Sequence, residues 1–216
     1  MYYPYIPERH NRSSRKITVT GHGQVAVEPD VATVQIEVST VNKQVSVAQE
    51  QNAQIMNQVI QSMLQLGVPR ENIRTVSYTV SPQYDYVDGK QIFRGYEVNN
   101  SISVKLTDIQ QVGTVIDTAV ANGANQISNI QFSVEDESVY KQQAIDNALK
   151  DAQLKATTIA KSLQLVMQPQ PIKVTELDAV ANPVRYKSVA MSDMSSTPIE
   201  QGQIIIAAAM SVQYSF

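Results

Sequence analysis

The chain has 216 residues, which is enough for one large domain or two small ones. Its 43% hydrophobic and 17% charged residues are typical of a folded globular protein and exclude a disordered chain. There is no cysteine, which excludes disulfides, thiolate nucleophiles and cysteine metal sites. The formal net charge is -3, and because residues 1–16 carry +3, residues 17–216 carry -6. An acidic body of this kind disfavours nucleic-acid binding.

The N-terminal 16 residues, MYYPYIPERHNRSSRK, are rich in Tyr, Pro and Arg and show no apolar period. This composition predicts a flexible arm ahead of a domain over residues 17–216. The arm lacks the apolar core of a signal peptide, and no run of about 18 apolar residues occurs anywhere. We therefore predict no transmembrane segment and a cytoplasmic location.

Order is predicted to begin near Ile17, with two strands followed by a helix. Val34, Ile36 and Val38 alternate with polar residues, which predicts a strand with one buried face. Apolar residues then recur at helical spacing from residue 48 to residue 64, and Gly67 ends that helix.

Two long strands form a predicted hairpin. The first contains Val76, Tyr78 and Val80, and the second runs from Ile92 to Leu106. Aromatic residues concentrate on this hairpin, so its tip, residues 82–95, is a candidate surface.

Two dipeptides are interpreted as structural turns. Asp88-Gly89 tolerates the positive φ of a type I′ hairpin turn. Pro29-Asp30 turns the chain from the first strand into the second, since proline presets φ.

The rest of the chain continues the alternation of helices and strands. Thr107 and Gln110 have the spacing of a capping box before a helix over residues 112–121, and an alanine-rich helix covers residues 144–163. Residues 204–216 alternate as a strand, after a long loop at 182–201. The predicted fold class is α+β: a mixed, largely antiparallel sheet with a long protruding β-hairpin and three helices packed on one face.

The stretch TGHG, residues 20–23, places two glycines beside His22. A dinucleotide-binding loop needs a third glycine and a helix directly after it, whereas a strand pattern follows here. We interpret Gly21 and Gly23 as structural, allowing a bulge or a close backbone approach. His22 has no partner histidine outside the N-terminal arm, so we expect no metal site and no cofactor.

The hairpin tip carries the candidate interaction residues. Tyr84, Tyr86, Phe93 and Tyr96 could stabilise the sheet as cross-strand pairs, or they could form a contact surface, because tyrosine is enriched at interfaces. Both readings remain open from sequence. The second predicts self-association as a homo-oligomer or binding of another protein.

Several segments in the correct order resemble the SIMPL-domain family, long listed as a domain of unknown function. They are ITVTGHGQVAVEPDVATVQIEVST, VNNSISVKLTDIQQVGTVIDTAVANGANQISNIQFSV, AIDNALKDAQLKATTIAKSLQL with QPIKVTEL, and PIEQGQIIIAAAMSVQYSF. The resemblance covers residues 17–216. It departs from the family pattern at Gln164, where a glycine is usual, and in the absence of an N-terminal signal sequence.

The resemblance carries expectations about biology. The family includes exported bacterial proteins of the periplasm and envelope, immunogenic outer-membrane-associated proteins, and an animal protein that binds a kinase. It implies an α+β fold with paired helices against a mixed sheet, ring assembly in some bacterial members, and no established catalytic residues. It also implies an alternative location in the cell envelope or outside the cell.

The predicted function is that of a non-enzymatic, oligomeric interaction or scaffold protein of this family, forming a ring and linked to envelope or oxidative stress. No Gly-x-Ser-x-Gly elbow accompanies the two histidines. The alternative is a small-ligand-binding protein or an enzyme that uses a pocket near His22 with Glu28 or Asp30.

Overall fold

The computed structural model describes residues 15–178 and 197–216. It confirms the α+β class, the long hairpin and the three helices. Two short 3-10 turns lie at Arg70–Asn72 and Ile109–Gln111. The regular elements are β1 (Lys16–Val27), β2 (Val31–Asn42), α1 (Val45–Gln65), β3 (Ile73–Val87), β4 (Lys90–Leu106), α2 (Val112–Ala121), β5 (Gln126–Ser133), α3 (Ser138–Ser162), β6 (Lys173–Leu177) and β7 (Ile204–Ser215).

The strands form two sheets, which differs from the single mixed sheet expected from sequence. One sheet has the strand order β3-β4-β2-β5, and the other has the order β1-β7-β6. Strand β2 pairs antiparallel with β4 and with β5, β3 pairs antiparallel with β4, and β6 pairs antiparallel with β7. The chain divides accordingly into two compact units, one around each sheet. That residues 17–216 act as one domain stays a prediction, while the predicted arm up to residue 14 and loop residues 182–196 lie outside the described part.

The turn between β1 and β2 shows why these consecutive strands do not pair with each other. The backbone amide of Asp30 donates to the carbonyl of Ser133 at 3.2 Å, and the Asp30 carboxylate accepts from the amide of Glu135 at 2.7 Å. Both bonds hold the start of β2 to the end of β5. Because β2 takes β4 and β5 as its neighbours, it has no free edge for β1.

The core of the four-stranded unit lies between its sheet and helices α1 and α2. Helix α1 packs on β2 and β4, and α2 packs on β2 and on α1. Most strand residues that face these helices are apolar, and most alternate strand residues on the opposite face are polar, as is typical of a half-covered antiparallel sheet. The fully buried members with the largest side chains are Val34, Ile36, Val38, Val59, Met63, Ile102, Val104, Val112 and Val115.

An asparagine from α1 ties the two central strands of this unit together. Asn52 is fully buried, and its Nδ2 donates to the carbonyls of Val38 on β2 at 2.8 Å and Val98 on β4 at 3.0 Å. A buried amide of this kind is stable only because its donors are used.

The core of the three-stranded unit depends on small residues. Helix α3 packs on β1 through a ridge of buried alanines, and Gly21 and Gly23 lie under this ridge in the middle of β1. A Cβ atom on Gly21 would lie 2.7 Å from the amide nitrogen of Ala152, and one on Gly23 would lie 2.5 Å from that of Ala148. Glycine therefore sets how closely the helix approaches the strand. The ridge consists of Ala144, Ala148, Ala152, Ala156 and Ala160.

Candidate interaction surface

The hairpin tip, residues 82–95, extends beyond the rest of its sheet. β3 and β4 pair from Ile73 with Val104 to Val87 with Lys90, but the pairing of β2 with β4 ends at Asn42 and Tyr96. Within the described chain, the strands of the tip therefore pair only with each other. Helix α1 begins at Val45, close after the end of β2, so it leaves the tip uncovered.

The turn at the end of the hairpin has the geometry that its sequence predicts. Asp88 and Gly89 both have positive φ, at 49° and 74°, and they connect the paired residues Val87 and Lys90. Positive φ at both central residues defines a type I′ turn, whose twist matches that of the two strands.

Three aromatic rings form a continuous row on one face of the tip. The ring centroids of Tyr84 and Phe93 lie 5.6 Å apart and those of Phe93 and Tyr96 lie 5.2 Å apart, in edge-to-face geometry. Tyr84 and Phe93 are direct cross-strand partners, so their side chains share a face. Tyr96 is two residues from buried Val98, which places this row on the side of the sheet that elsewhere carries the core.

Apolar side chains on the tip remain accessible to solvent. Tyr86 is 76% exposed, and Tyr84 and Phe93 are 43% and 41% exposed despite their contact with each other. Val87 and Ile92 are each half exposed. Apolar side chains on both strands of the hairpin tip form a larger exposed surface than the single apolar residues common on protein surfaces.

The exposed apolar surface continues from the tip along β3. Tyr78 and Val80 pair with Asn100 and Val98, so they face the same side as the helices. They remain 50% and 40% exposed. The Tyr78 hydroxyl lies 3.4 Å from the Gln49 side-chain nitrogen of α1, which marks where the helix cover ends.

A glycine and a bulge shape the base of the tip. Gly95 is buried, and a Cβ atom at this position would lie 2.8 Å from the carbonyl oxygen of Asn42. Arg94 is the extra residue where the pairing shifts between Gln83 and Tyr84. Close approach of β2 and this bulge together set the direction in which the tip leaves the sheet.

The charged residues of the tip separate by strand. Asp85 and Asp88 lie on the β3 side, and Lys90 and Arg94 lie on the β4 side. Asp85 and Arg94 approach only to 3.9 Å, with side chains 56% and 62% exposed. Solvent screens such a contact strongly.

His22 lies in the middle of β1 with its side chain exposed. Its recorded contact is through the backbone: the His22 amide donates to the Asp151 carboxylate of α3 at 2.8 Å. Within residues 15–178 and 197–216, no three His, Cys, Asp or Glu side chains group so that they could hold a metal ion. A shallow pocket of about 300 Å³ in the same unit is lined by residues 168–172 and Ser215, and His22 is not part of it.

The contact of His22 belongs to a set that caps the free edge of β1. The carbonyl of Arg15 accepts from the amide of Phe216, directly after β7. The backbone groups of Thr20, His22 and Gln24 therefore point to the side opposite β7. Lys155 Nζ donates to the Thr20 carbonyl at 3.0 Å, and Asn147 Nδ2 lies 3.4 Å from that of Gln24. Side chains that occupy backbone groups of an edge strand in this way hinder its pairing with another chain.

These edge-capping residues were not predicted from the sequence. Asn147, Asp151 and Lys155 recur every four residues, directly beside the alanine ridge of α3, so they form one polar stripe on the helix. A stripe of hydrogen-bonding residues next to a ridge of alanines is the signal that could have indicated them. The Lys155 ammonium, 2.6 Å from the carboxylate, and the His22 amide hold the pKa of Asp151 below its ordinary value.

Together the two antiparallel sheets, their three helices and the projecting aromatic hairpin define an α+β protein whose candidate contact surface is a strand tip and not a cleft. The chain belongs to the SIMPL family, described as "Protein of unknown function (DUF541)", whose profile matches residues 17–214.

The chain is similar to several bacterial proteins. It is 31% identical over 182 residues to "Uncharacterized protein YggE" of Escherichia coli (strain K12), which covers 78% of this chain and 73% of that protein. It is 25% identical over 199 residues to "26 kDa periplasmic immunogenic protein" of Brucella melitensis, which covers 87% of this chain and 79% of the relative.

The location predicted from sequence finds no support in these relatives. The name of the Brucella protein places that protein in the periplasm. None of the helices in the described residues is sufficiently long and apolar to span a membrane.

Proposed function

We propose that this protein is a non-enzymatic, self-associating interaction protein and that the hairpin tip is its contact surface. The observation that supports the proposal most directly is the aromatic row of Tyr84, Phe93 and Tyr96, which projects beyond the sheet with the largely exposed Tyr86 beside it. Tyrosine and phenylalanine bury a large area at low cost in side-chain entropy, which is why they concentrate in the centres of interfaces.

The rigidity of the tip also supports the proposal. The type I′ turn, the edge-to-face ring contacts and the continuous cross-strand pairing hold the aromatic residues in one arrangement before any partner binds. A preorganised surface loses less conformational entropy on binding, so more of its buried area contributes to affinity. The tip thus has the two properties of an interface, apolar area and order.

The edge capping of β1 favours the tip over strand addition in the other unit. Asp151, Lys155 and Asn147 occupy the backbone groups that a second chain would need at that edge. On the hairpin tip, by contrast, apolar side chains and not free backbone groups form the proposed contact surface.

We propose that the protein acts as a scaffold in the cell envelope and forms a closed assembly there. The envelope-stress function predicted from the family resemblance would operate in that compartment. The support is the periplasmic name of the Brucella relative, which is similar over most of this chain. Fractionation of the native host with an antibody against the chain tests the location. Recovery with cytoplasmic markers alone would contradict it.

Light scattering coupled to size exclusion tests the self-association. We expect the full chain, with a mass of 23.9 kDa, to elute at a discrete integer multiple of that mass. The variant Tyr84→Ser/Tyr86→Ser/Phe93→Ser should elute as the monomer because it loses the apolar area of the tip.

A matched control separates the tip from general surface hydrophobicity. Leu154→Ser/Val166→Ser changes two side chains that are 67% and 85% exposed in the other unit, and it should keep the wild-type mass. A monomeric wild-type chain at micromolar concentration, or an unchanged mass in the tip variant, would rule out the proposed function.

A further inference from the structure

The hairpin tip carries its charges in two groups of opposite sign. We call Asp85 and Asp88 the acidic arm and Lys90 and Arg94 the basic arm. We propose that, in the self-association described above, the acidic arm of one copy contacts the basic arm of a second copy. The inference rests on the proposed function and names the partner as this same chain.

The arms are available because little within the chain neutralises them. Asp85 and Arg94 approach to 3.9 Å across the tip with both side chains more than half exposed. Asp88 and Lys90 form no salt bridge with any other residue in the described part of the chain. Four charges of an exposed apolar hairpin thus remain hydrated and able to pair with charges from outside.

The separation of the signs identifies a second copy as the partner. Two negative charges on one arm and two positive charges on the other make the tip neutral as a whole, so it offers no uniform field to an anionic membrane or a nucleic acid. A second tip, however, presents both signs at the same spacing. The acidic arm of each copy can therefore pair with the basic arm of the other copy.

Both sides of the tip are open to such contact. β3 is the terminal strand of its sheet, and beyond Tyr96 β4 has lost its pairing with β2. The acidic and basic arms therefore border two free sides of one narrow hairpin. The aromatic row crosses the same hairpin, from Tyr84 on β3 to Phe93 on β4.

The charges select the arrangement while the aromatic residues supply most of the affinity. Charges at the rim of an interface contribute mainly to the rate of association and to the rejection of mismatched arrangements. Reversing the sign of one arm should thus act by setting like charges against each other. The aromatic surface remains intact in such a variant.

Two charge variants and their mixture test the inference. The first, Asp85→Lys/Asp88→Asn, removes the negative charge of the acidic arm, and asparagine keeps the positive φ of the turn at residue 88. The second, Lys90→Glu/Arg94→Glu, reverses the basic arm. Each variant alone should self-associate at least about tenfold more weakly than wild type, because its two arms no longer attract.

An equimolar mixture of the two variants should recover affinity to within about threefold of wild type, because arms of opposite charge are again present on different copies. Repulsion within each hairpin persists in the mixture, so recovery can come only from contacts between copies. A mixture that assembles no better than its components would overturn the inference, as would single variants that assemble like wild type.

Salt dependence of the wild-type chain provides a measurement that needs no variant. At about 1 M salt the screening length is about 3 Å, so the association constant should fall several-fold relative to low salt. An association constant that does not fall with salt would count against paired arms.

The two proposals fail in distinguishable ways. If the wild-type chain is monomeric, the proposed function fails and this inference fails with it. If the aromatic variant dissociates while both charge variants assemble normally, the tip is the contact surface and only the pairing of arms is wrong.

Discussion

Gly21 of β1 and Ala152 of α3 approach so closely that a Cβ atom on the glycine would lie 2.8 Å from the Cβ of the alanine and 2.7 Å from its amide nitrogen. Real Cβ atoms do not occupy such positions, and a helix backbone cannot move aside without moving the whole element. The contact explains why the stretch TGHG carries two glycines. It holds α3 near enough for its polar side chains to reach the edge of β1.

Replacing Gly21 with alanine should therefore destabilise the protein by about 3 kcal/mol or more, since overpacking against backbone cannot relax through a side chain. Urea unfolding followed by circular dichroism measures the change. Gly67→Ala is the matched control: its φ of 87° is unfavourable for alanine, but no atom lies within 4 Å of the added Cβ, so we expect a cost of about 1 kcal/mol. Equal costs at the two positions would contradict the close helix contact.

The hydrogen bonds to Asp151 should make stability depend on pH. Lys155 and the His22 amide lower the pKa of this carboxyl in the folded state. A lowered folded pKa contributes stability above the unfolded pKa of about 3.9, and the contribution disappears as pH falls through the folded value. The Asp151→Asn variant should thus be less stable than wild type at neutral pH, by about 1 kcal/mol or less because the pair is partly exposed.

This difference should shrink when unfolding is measured at about pH 3, where the unfolded carboxyl is protonated. Asp146→Asn, which alters an exposed aspartate on the same helix, serves as the control and should show no such trend. If the stability difference between wild type and Asp151→Asn grows as pH falls, the folded-state pKa of Asp151 is not lowered.

The ends of the three helices predict a stabilising substitution. All three close with the paired amide-to-carbonyl bonds of a Schellman motif, and the residue with positive φ is Gly67 in α1, Gly123 in α2 and Gln164 in α3. Gln164 has φ of 52°, a left-handed conformation that disfavours a residue with a Cβ atom.

Gln164→Gly should therefore raise the free energy of unfolding by up to about 1 kcal/mol, after allowance for the greater freedom of glycine in the unfolded chain. The reciprocal change, Gly67→Gln, should lower it by about 1 kcal/mol. Thermal unfolding of both variants measures these two changes in stability. A lower melting temperature for Gln164→Gly would contradict the argument.

The side chain of Asp30 should contribute to the stability of the four-stranded unit. Its carboxylate accepts from the Glu135 amide at 2.7 Å and joins the start of β2 to the end of β5. Asp30→Ala should cost about 1 kcal/mol, because a hydrogen bond to a charged group is lost. Asp30→Asn keeps an acceptor oxygen and should cost less. If both variants unfold at the same urea concentration as wild type, the bond is dispensable.

Local patterns predicted most of the elements. Alternation along Val34, Ile36 and Val38 and the Asp88-Gly89 turn need only neighbouring residues, because strand period and turn conformation are short-range properties. One cap was misassigned: Asp108, and not Thr107, accepts from the amide of Gln110 before α2. Asp108 is adjacent to Thr107, and both residue types can cap a helix, so the spacing of Thr107 and Gln110 did not identify the cap.

The candidate surface was only partly accessible from sequence. Its aromatic residues, Tyr84, Tyr86, Phe93 and Tyr96, were indicated by composition, but their arrangement as one row depends on the bulge at Arg94. A bulge changes which residues share a face. Their exposure depends in turn on where β2 and α1 end relative to the tip.

By itself, the sequence determined the α+β class, the order of helices and strands, the hairpin with its turn and the family, because each follows from periodicity or from residues close along the chain. Only the tertiary structure decided how the strands divide between two sheets, which edge of β1 is capped, and why Gly21 must be glycine. Those properties depend on contacts between residues more than a hundred positions apart, such as His22 with Asp151. Local pattern carries no information about which distant backbone will lie beside a given strand.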